Sequence, residues 1–345
     1  MLNSSYKIGA ITVSPALVLS PMSGVTNVAF RRLIRELNPG ALGLVLTEFI
    51  SVEALTRQSR RSLEMMRFYE SERPIAIQIF GWDLQRMRDA AVMVQDSGVD
   101  IVDINCGCPA PKVVKRGGGC DLMRQPDHFA KLLKEVRRAV SIPMTVKFRS
   151  GWDAENINAV EFARIAESEG ADALAVHGRT RAQLYRGDAD WEIVRAVASA
   201  VKIPVLGSGD VKDADSARDR MRGGVAGLMV GRAAISNPLV FGQILNGEPN
   251  NLRRDSQKLI EIVQRYIEIL TEDFEPRHCV GRVKQLVSQM ARGHSWSRDL
   301  CRINTLPEQK AMLDMTRLEM TRTELDRAKA AVDSVACANL GQPNA

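Results

Sequence analysis

Along the first 231 residues, short apolar or β-branched runs alternate with longer segments whose apolar positions recur at helical spacing, and Gly, Pro or Asn bounds each run. Eight such runs predict strands, over residues 16–20, 42–48, 75–79, 101–105, 144–149, 173–177, 203–207 and 227–231. Their near-continuous hydrophobicity suits parallel strands covered by helices outside and packed against one another within. Helices are predicted to start at Asn27, Asp83, Pro126, Glu155, Trp191 and Asp213. The repeat predicts an α/β protein, a (β/α)8 TIM barrel, whose usual size is about 250 residues. A doubly wound sheet is the competing fold. It would carry G-x-G-x-x-G after the first strand, where this chain has Ser20-Pro21-Met22-Ser23-Gly24, and no phosphate-binding G-x-x-x-x-G-K-S/T occurs anywhere.

Beyond Pro238 the strand rhythm stops, and the polar stretch 246–251 reads as a linker. Leu259, Ile260, Val263, Tyr266, Ile267 and Leu270 then recur at helical spacing, as do Val283, Leu286, Val287 and Met290. The expected organisation is a barrel over residues 1–245 and an all-helical domain over 253–340, with the end from Cys337 to Ala345 frayed.

Composition narrows the class. With 45% hydrophobic and 26% charged residues, the 345-residue chain is no disordered, collagenous or coiled-coil protein. No apolar run approaches the roughly 18 residues of a membrane helix, and Met1 to Val13 lacks the features of a secretory signal, so a cytoplasmic protein is expected. Six cysteines (Cys106, Cys108, Cys120, Cys279, Cys301, Cys337) are too few and too scattered for a disulfide framework. Cys106-x-Cys108 has no second ligand pair downstream, so no metal site is expected. The net charge is +6, and it is unevenly spread. Residues 101–150 hold ten Lys/Arg against four Asp/Glu, and Arg277, Arg282, Lys284, Arg292, Arg298 and Arg302 face only Asp299 between 277 and 302. Such clusters suit either a solvated helix face or a polyanion backbone.

In a barrel of this type, reacting groups sit at the carboxyl ends of strands. Those ends carry Pro21-Met22-Ser23-Gly24, Gln78, Asn105-Cys106-Gly107-Cys108-Pro109, Lys147 and Arg149, His177-Gly178-Arg179-Thr180, Ser208-Gly209-Asp210 and Gly231-Arg232. Glycines after the seventh and eighth strands let backbone N–H groups close on phosphate, which predicts a phosphate-bearing ligand. Lys147 should point into the mouth, where its ammonium needs an anionic partner. FMN, whose ring gains negative charge on reduction, is one such partner; a buried carboxylate such as Asp103 or Glu48 is the other. His177 shares that rim. A thiol of ordinary pKa about 8.5 is protonated at neutral pH and can donate a proton to a carbanion-like centre. Cys106 and Cys108 both qualify on spacing.

The motifs together resemble those of the tRNA-dihydrouridine synthases, especially the bacterial type that includes the B class. The match runs through Leu19-Ser20-Pro21-Met22-Ser23-Gly24-Val25-Thr26, Asp103-Ile104-Asn105-Cys106-Gly107-Cys108-Pro109-Ala110, His177-Gly178-Arg179-Thr180, Gly207-Ser208-Gly209-Asp210-Val211 and Gly231-Arg232. It covers residues 14 to 245 in order. The resemblance implies that NADPH reduces FMN, that a hydride passes to C6 of a D-loop uridine in tRNA, and that Cys108 delivers a proton to C5. It further implies an FMN site lined by Pro21, Met22, Ser23, Gln78, Lys147, His177, Ser208, Gly209, Asp210, Gly231 and Arg232. Ser208 stands where the family often has Asn, so backbone contact to the phosphate is what carries over there. Asn105 and Arg179 would place the uracil. Lys112 in the loop after the cysteines, and Arg282 and Lys284 in the helical domain, would meet the tRNA. Low aromatic content, 5%, favours recognition of RNA shape and backbone over base stacking. The expected state is a monomer without an obligate protein partner.

Overall fold

The computed structural model describes residues 3–339, with side chains as far as residue 322. Tyr6–Ile8 (β1) and Ile11–Val13 (β2) form an antiparallel hairpin turned at Gly9, whose φ of 57° is open to glycine. Eight parallel strands then close into a barrel. They are Leu17–Leu19 (β3), Leu44–Leu46 (β4), which is continued by the short Ile50–Ser51 (β5), Ile75–Phe80 (β6), Ile101–Cys106 (β7), Met144–Arg149 (β8), Ala173–His177 (β9), Val205–Ser208 (β10) and Gly227–Val230 (β11). The order runs β4-β3-β11-β10-β9-β8-β7-β6, and pairing of Val45 with Ile75 closes the ring. Each of the eight expected segments supplies one barrel strand, with ends shifted by at most two residues.

The hairpin was not expected, because three-residue strands leave no readable period. It closes one end of the barrel from inside. Ile8 and Val13 join a core cluster with Val18, Leu44, Leu46, Ile101, Leu206 and Met229, and the small Ala76, Ala173 and Ala175 leave the room they fill.

The helices are Val28–Leu37 (α1), Val52–Thr56 (α2), Arg60–Met65 (α3), Leu84–Asp96 (α4), Pro111–Val114 (α5), Pro126–Ala139 (α6), Ala159–Ser168 (α7), Trp191–Ala200 (α8), Ala214–Arg220 (α9), Arg232–Ser236 (α10) and Val240–Asn246 (α11). Polar caps start several of them. Asn27 accepts from Phe30 N–H, Asp83 from Arg86 N–H, Asp190 from Glu192 and Ile193 N–H, and Asp213 from Ser216 N–H. The start expected at Glu155 is displaced to Ala159. Asp153 Oδ1 takes the N–H groups of Glu155 and Asn156, and Gly151 bridges to Ile157, so the chain turns before the helix can begin.

The chain divides into two compact units, Met1–Asn250 and Asn251–Ala345. The second contains Ser256–Asp273 (α12), Pro276–Met290 (α13), Ser295–Arg302 (α14) and Leu306–Asn339 (α15). It has its own core, built from Leu259, Ile260, Val263, Ile267, Val283, Val287, Leu300 and Leu313. The fraying expected from Cys337 onward falls mostly on residues 340–345, outside the described residues; the backbone is helical to Asn339. Among the described residues, no helix is long and apolar enough to cross a membrane.

One buried ion pair ties α1 to the turn that leads into β6. Arg31 and Glu72 are 1% and 0% exposed, and Arg31 Nε donates to Glu72 at 2.6 Å. The other nitrogens of Arg31 reach the carbonyls of Thr26 and Arg67, while Glu72 also accepts from Tyr69 N–H. Glu72→Ala leaves that guanidinium buried and uncompensated, and should destabilise the barrel unit by about 3–5 kcal/mol. Removing the exposed Arg60–Glu64 pair by Glu64→Ala should cost under about 1 kcal/mol. Urea midpoints of the two variants test the contrast.

Candidate active site

The carboxyl ends of the strands bring most of the expected residues to one barrel mouth. Successive side chains on a strand face opposite ways, so Asp103 and Asn105 on β7 share a face with each other and not with Cys106. Asp103 is fully buried and forms no ion pair among the described residues. Its Oδ1 accepts from Thr145 Oγ1 on β8, and its Oδ2 accepts from Gln78 Nε2 on β6 at 2.6 Å. Gln78 Oε1 in turn accepts from Asn105 Nδ2 at 2.7 Å. Asn105 Oδ1 then accepts from the N–H groups of Gly107 at 3.2 Å and Cys108 at 2.9 Å. Four side chains on three strands thus hold the cysteine loop from inside the barrel.

The same loop is gripped from the rim by Arg149, 3% exposed, whose Nε donates to Gly107 O at 3.0 Å. Its Nη1 donates to Thr180 O and Leu184 O, both at 2.9 Å, which fastens the loop after β9 to the loop after β7. The sequence placed Arg149 at the strand end without a role. Its spacing of two from Lys147, which sets both on one strand face, was the available signal. From the far side, Cys120 N–H donates to Cys108 O at 3.1 Å, and a Cβ on Gly119 would meet that same oxygen at 2.5 Å.

The two thiols separate on geometry. Cys106 is completely buried, and burial drives its pKa well above the ordinary range. Cys108 keeps 9% of its surface open. Burial raises its pKa too, while a backbone hydrogen bond from Ala110 and the charges of Arg149 and Lys147 pull the other way. Cys108 is therefore a protonated thiol at neutral pH that still reaches the mouth.

The Lys147 side chain forms no hydrogen bond or ion pair among the described residues. The carboxylates proposed for it from sequence are engaged elsewhere: Asp103 with Thr145 and Gln78, and Glu48 with Gly24 N–H. Burial and the nearby Arg149 lower the Lys147 pKa to about 8, while Asp103 draws it back up. An ammonium set in the mouth without a partner is the kind of group an anionic ring would satisfy.

The opposite side of the mouth is built by the last three strand ends. Asp210, in the left-handed region at φ 54°, is the hub. Its Oδ2 accepts from Arg179 Nη2 at 2.7 Å and Ala189 N–H at 2.8 Å, and its Oδ1 from Arg232 Nη2 at 3.0 Å. Partial burial pushes its pKa up, but these donors outweigh that and hold the carboxyl below its usual value. Gly209, at φ 125°, packs so closely that a Cβ would meet Ala189 at 2.5 Å and the His177 ring at 3.2 Å. Arg232 and Ala233 open α10, so their N–H groups have no helical acceptor. Gly231 lies beside Met22, with 3.6 Å from a built Cβ to the Met22 sulfur. Pro21, Met22 and Ser23 occupy the rim after β3, the first two half-buried and Ser23 exposed. His177 is 9% exposed, and burial with the surrounding cations keeps it neutral.

Arg179 is arranged differently from the sequence expectation. It is 2% exposed, and its nitrogens reach Arg186 O, Gly187 O, Asp210 and the His177 ring. It organises the rim rather than projecting free into the mouth. Lys112 is exposed on α5. In the helical unit, Arg282 donates to His278 O and lies 4.0 Å over the Phe274 ring, and Lys284 donates to Asn304 Oδ1 at 2.8 Å.

Residues 18–322 match the family model of the dihydrouridine synthases. The chain belongs to the dihydrouridine synthase family. It is 38% identical over 271 residues to a Rickettsia conorii protein named "Probable tRNA-dihydrouridine synthase", covering 78% of this chain and 80% of that protein. It is 41% identical over 242 residues to tRNA-dihydrouridine synthase B of Pseudomonas syringae pv. tomato, covering 70% and 71%. The namesake B enzyme of Pseudomonas aeruginosa is 40% identical over 242 residues, covering 70% and 72%. This family member brings the Gly209 and Gly231 loops, an unpaired lysine side chain and a protonated thiol to one mouth. The set suits a redox cofactor with a phosphate tail, such as FMN.

The raised pKa of Cys108 gives a testable pH profile. A group raised by folding stays protonated past its usual value, so alkylation of Cys108 by iodoacetamide should keep accelerating above about pH 8.5, where a free thiol levels off. Mass spectrometry of the labelled peptide reads the rate. Asn105→Ala, which frees the loop, should speed labelling at every pH, and Cys106 and Cys120 should stay unlabelled in the folded protein.

Proposed function

We propose that this chain is a flavin-dependent synthase that reduces the C5=C6 bond of D-loop uridines in tRNA, working in the cytoplasm as a monomer. The observation that carries the reading is Cys108, a protonated thiol held by Asn105 at a mouth that also presents the unpaired Lys147. FMN, when bound and reduced by NADPH, supplies the hydride for C6 of the uracil. Lys147, without a side-chain partner of its own, would offer a cation to charge arising on the ring. The N–H groups of Gly209, Arg232 and Ala233 suit the phosphate, and Ser208 contributes from its backbone. Gln78 and Asn105 already hold each other, so Gln78 meets the ring as part of a fixed amide pair.

On the substrate side, hydride addition at C6 leaves negative charge shared between C5 and O4. Cys108 donates its proton to C5, and the raised pKa keeps that proton available across neutral pH. Cys106, walled off on the opposite strand face, takes no part. Asn105 orients the base, and Arg179 acts through Asp210 and His177 rather than by direct contact. The base must leave its stack to lie in the mouth, at a cost of a few kcal/mol that is smallest in an open loop. Arg282, Lys284 and Lys112 meet the tRNA backbone.

The deciding test is anaerobic. The NADPH-reduced protein should lose its reduced-flavin spectrum on addition of unmodified tRNA and not on addition of free uridine; a colourless protein that takes up no FMN would reject the flavin reading. Cys108→Ala should form no dihydrouridine while NADPH still reduces the flavin, whereas Cys106→Ala should keep most activity. Loss confined to the Cys106 variant would overturn the assignment. For the helical unit, replacing Arg282 and Lys284 by Ala should lower the slope of log Kd for tRNA against log salt by about two. An unchanged slope removes this pair from the interface.

A further inference from the structure

A second group of cations lies on the barrel rim and takes no part in the chemistry above. Trp152 follows β8, and the guanidinium carbons of Arg124 and Arg181 lie 3.9 Å and 4.6 Å from its ring centroid. Three loops meet there and are pinned together. Arg181 N–H donates to Gly151 O and Ala182 N–H to Trp152 O, both at 2.9 Å. Trp152 N–H donates to Asn156 O at 3.0 Å, and Asn158 Nδ2 reaches Met123 O at 2.7 Å.

The two cations differ. Arg124 is already ion-paired with Asp121. Arg181 forms no side-chain hydrogen bond or ion pair among the described residues, and its Nε–H is buried without an acceptor. The neighbouring Asp153 turns its Oδ1 to Glu155 N–H, Asn156 N–H and the Asn156 amide, and forms no ion pair with Arg181 among the described residues. A buried donor without a partner is costly, and contact with an aromatic ring offsets it only in part. The indole thus packs against two guanidinium groups. What remains is a planar fork, fixed in orientation by the ring and in position by the loop backbone, with its donors unspent.

We propose that Arg181, steadied by Trp152 and flanked by Arg124, binds a phosphodiester of the RNA chain next to the nucleotide held in the mouth. The proposal rests on the tRNA reading above. The mouth serves the target base and the reductant in turn, so a partner gripped on the rim is one that extends beyond the mouth, as a polynucleotide does. Arg149 holds both Thr180 O, one residue before Arg181, and Gly107 O, one residue before Cys108, so the phosphate bound by Arg181 is close to the reacting base.

The test is a salt series of tRNA binding to the flavin-loaded protein, with KM values from anaerobic reoxidation. Arg181→Ala should reduce the slope of log Kd against log salt by about one and raise the KM for tRNA about tenfold or more, with NADPH reduction and flavin affinity unchanged. Arg181→Lys should keep the slope and lose part of the affinity, because it keeps the charge and loses the fork. If Arg181→Ala does not fold, Arg181→Gln gives the same comparison. An unchanged slope and KM beside an active wild type overturn the proposal. So does a raised KM for NADPH with an unchanged tRNA slope, which would assign the fork to the dinucleotide. Failure of the wild type itself to be reoxidised by tRNA would reject the tRNA reading instead.

Discussion

The buried carboxylate of Asp103 is the constraint on which the mouth depends. A carboxylate in a dry interior needs a donor for each oxygen, and it finds them in Thr145 and Gln78 on the two neighbouring strands. Once Gln78 gives its N–H2 to Asp103, its carbonyl is free to take the Asn105 amide, and Asn105 can then turn only its own carbonyl toward the cysteine loop. Each amide is therefore oriented by the one before it. The loop that carries Cys108 is positioned by a relay that begins at a carboxylate on the strand leading into it, crosses to Gln78 on β6 and returns to Asn105.

Buried polar relays are costly when any member is unsatisfied, and this one is closed at every step. The opposite end of the barrel is handled by apolar packing. Ile8 and Val13 of the β1–β2 hairpin fill the space left by Ala76, Ala173 and Ala175, so polar groups concentrate at the carboxyl end of the strands. At that end the loops are fixed to one another by arginines with several acceptors each. Arg149 joins the loops after β7 and β9, and Arg179 with Asp210 joins those after β9, β10 and β11. Rigid loops let a site hold its groups in place before substrate arrives.

Much of this was legible in the chain. Eight hydrophobic runs gave the eight barrel strands because parallel strands buried on both faces leave a near-continuous apolar signature, as Leu17–Leu19 and Gly227–Val230 do. Caps such as Asn27, Asp83 and Asp213 marked helix starts because they act within three residues. The hairpin escaped notice since three residues carry no period, and the late start of α7 depended on Asp153 turning the chain. Side-chain partners were the least legible part. Arg149 looked like one more cation beside Lys147, and Arg179 looked like a substrate contact, because the carbonyls that engage them come from loops brought near only by the closed barrel.

Lys147 and Asp103 show why the remaining vacancy in hydrogen bonding matters. Burial raises the pKa of Asp103 to about 6, with its hydrogen bonds and Lys147 opposing, and lowers that of Lys147 to about 8. Between those values both are charged, yet the carboxylate oxygens are spent on Thr145 and Gln78, so the pair attracts through space without forming a bond. Direct contact would have neutralised the lysine and released the relay that holds Cys108. Keeping the two apart preserves the relay and leaves an ammonium whose unmet demand for a counter-ion points into the mouth. A ligand that gains negative charge during reaction meets that demand most strongly when the charge is greatest, which is the condition for accelerating a step rather than only binding its reactant.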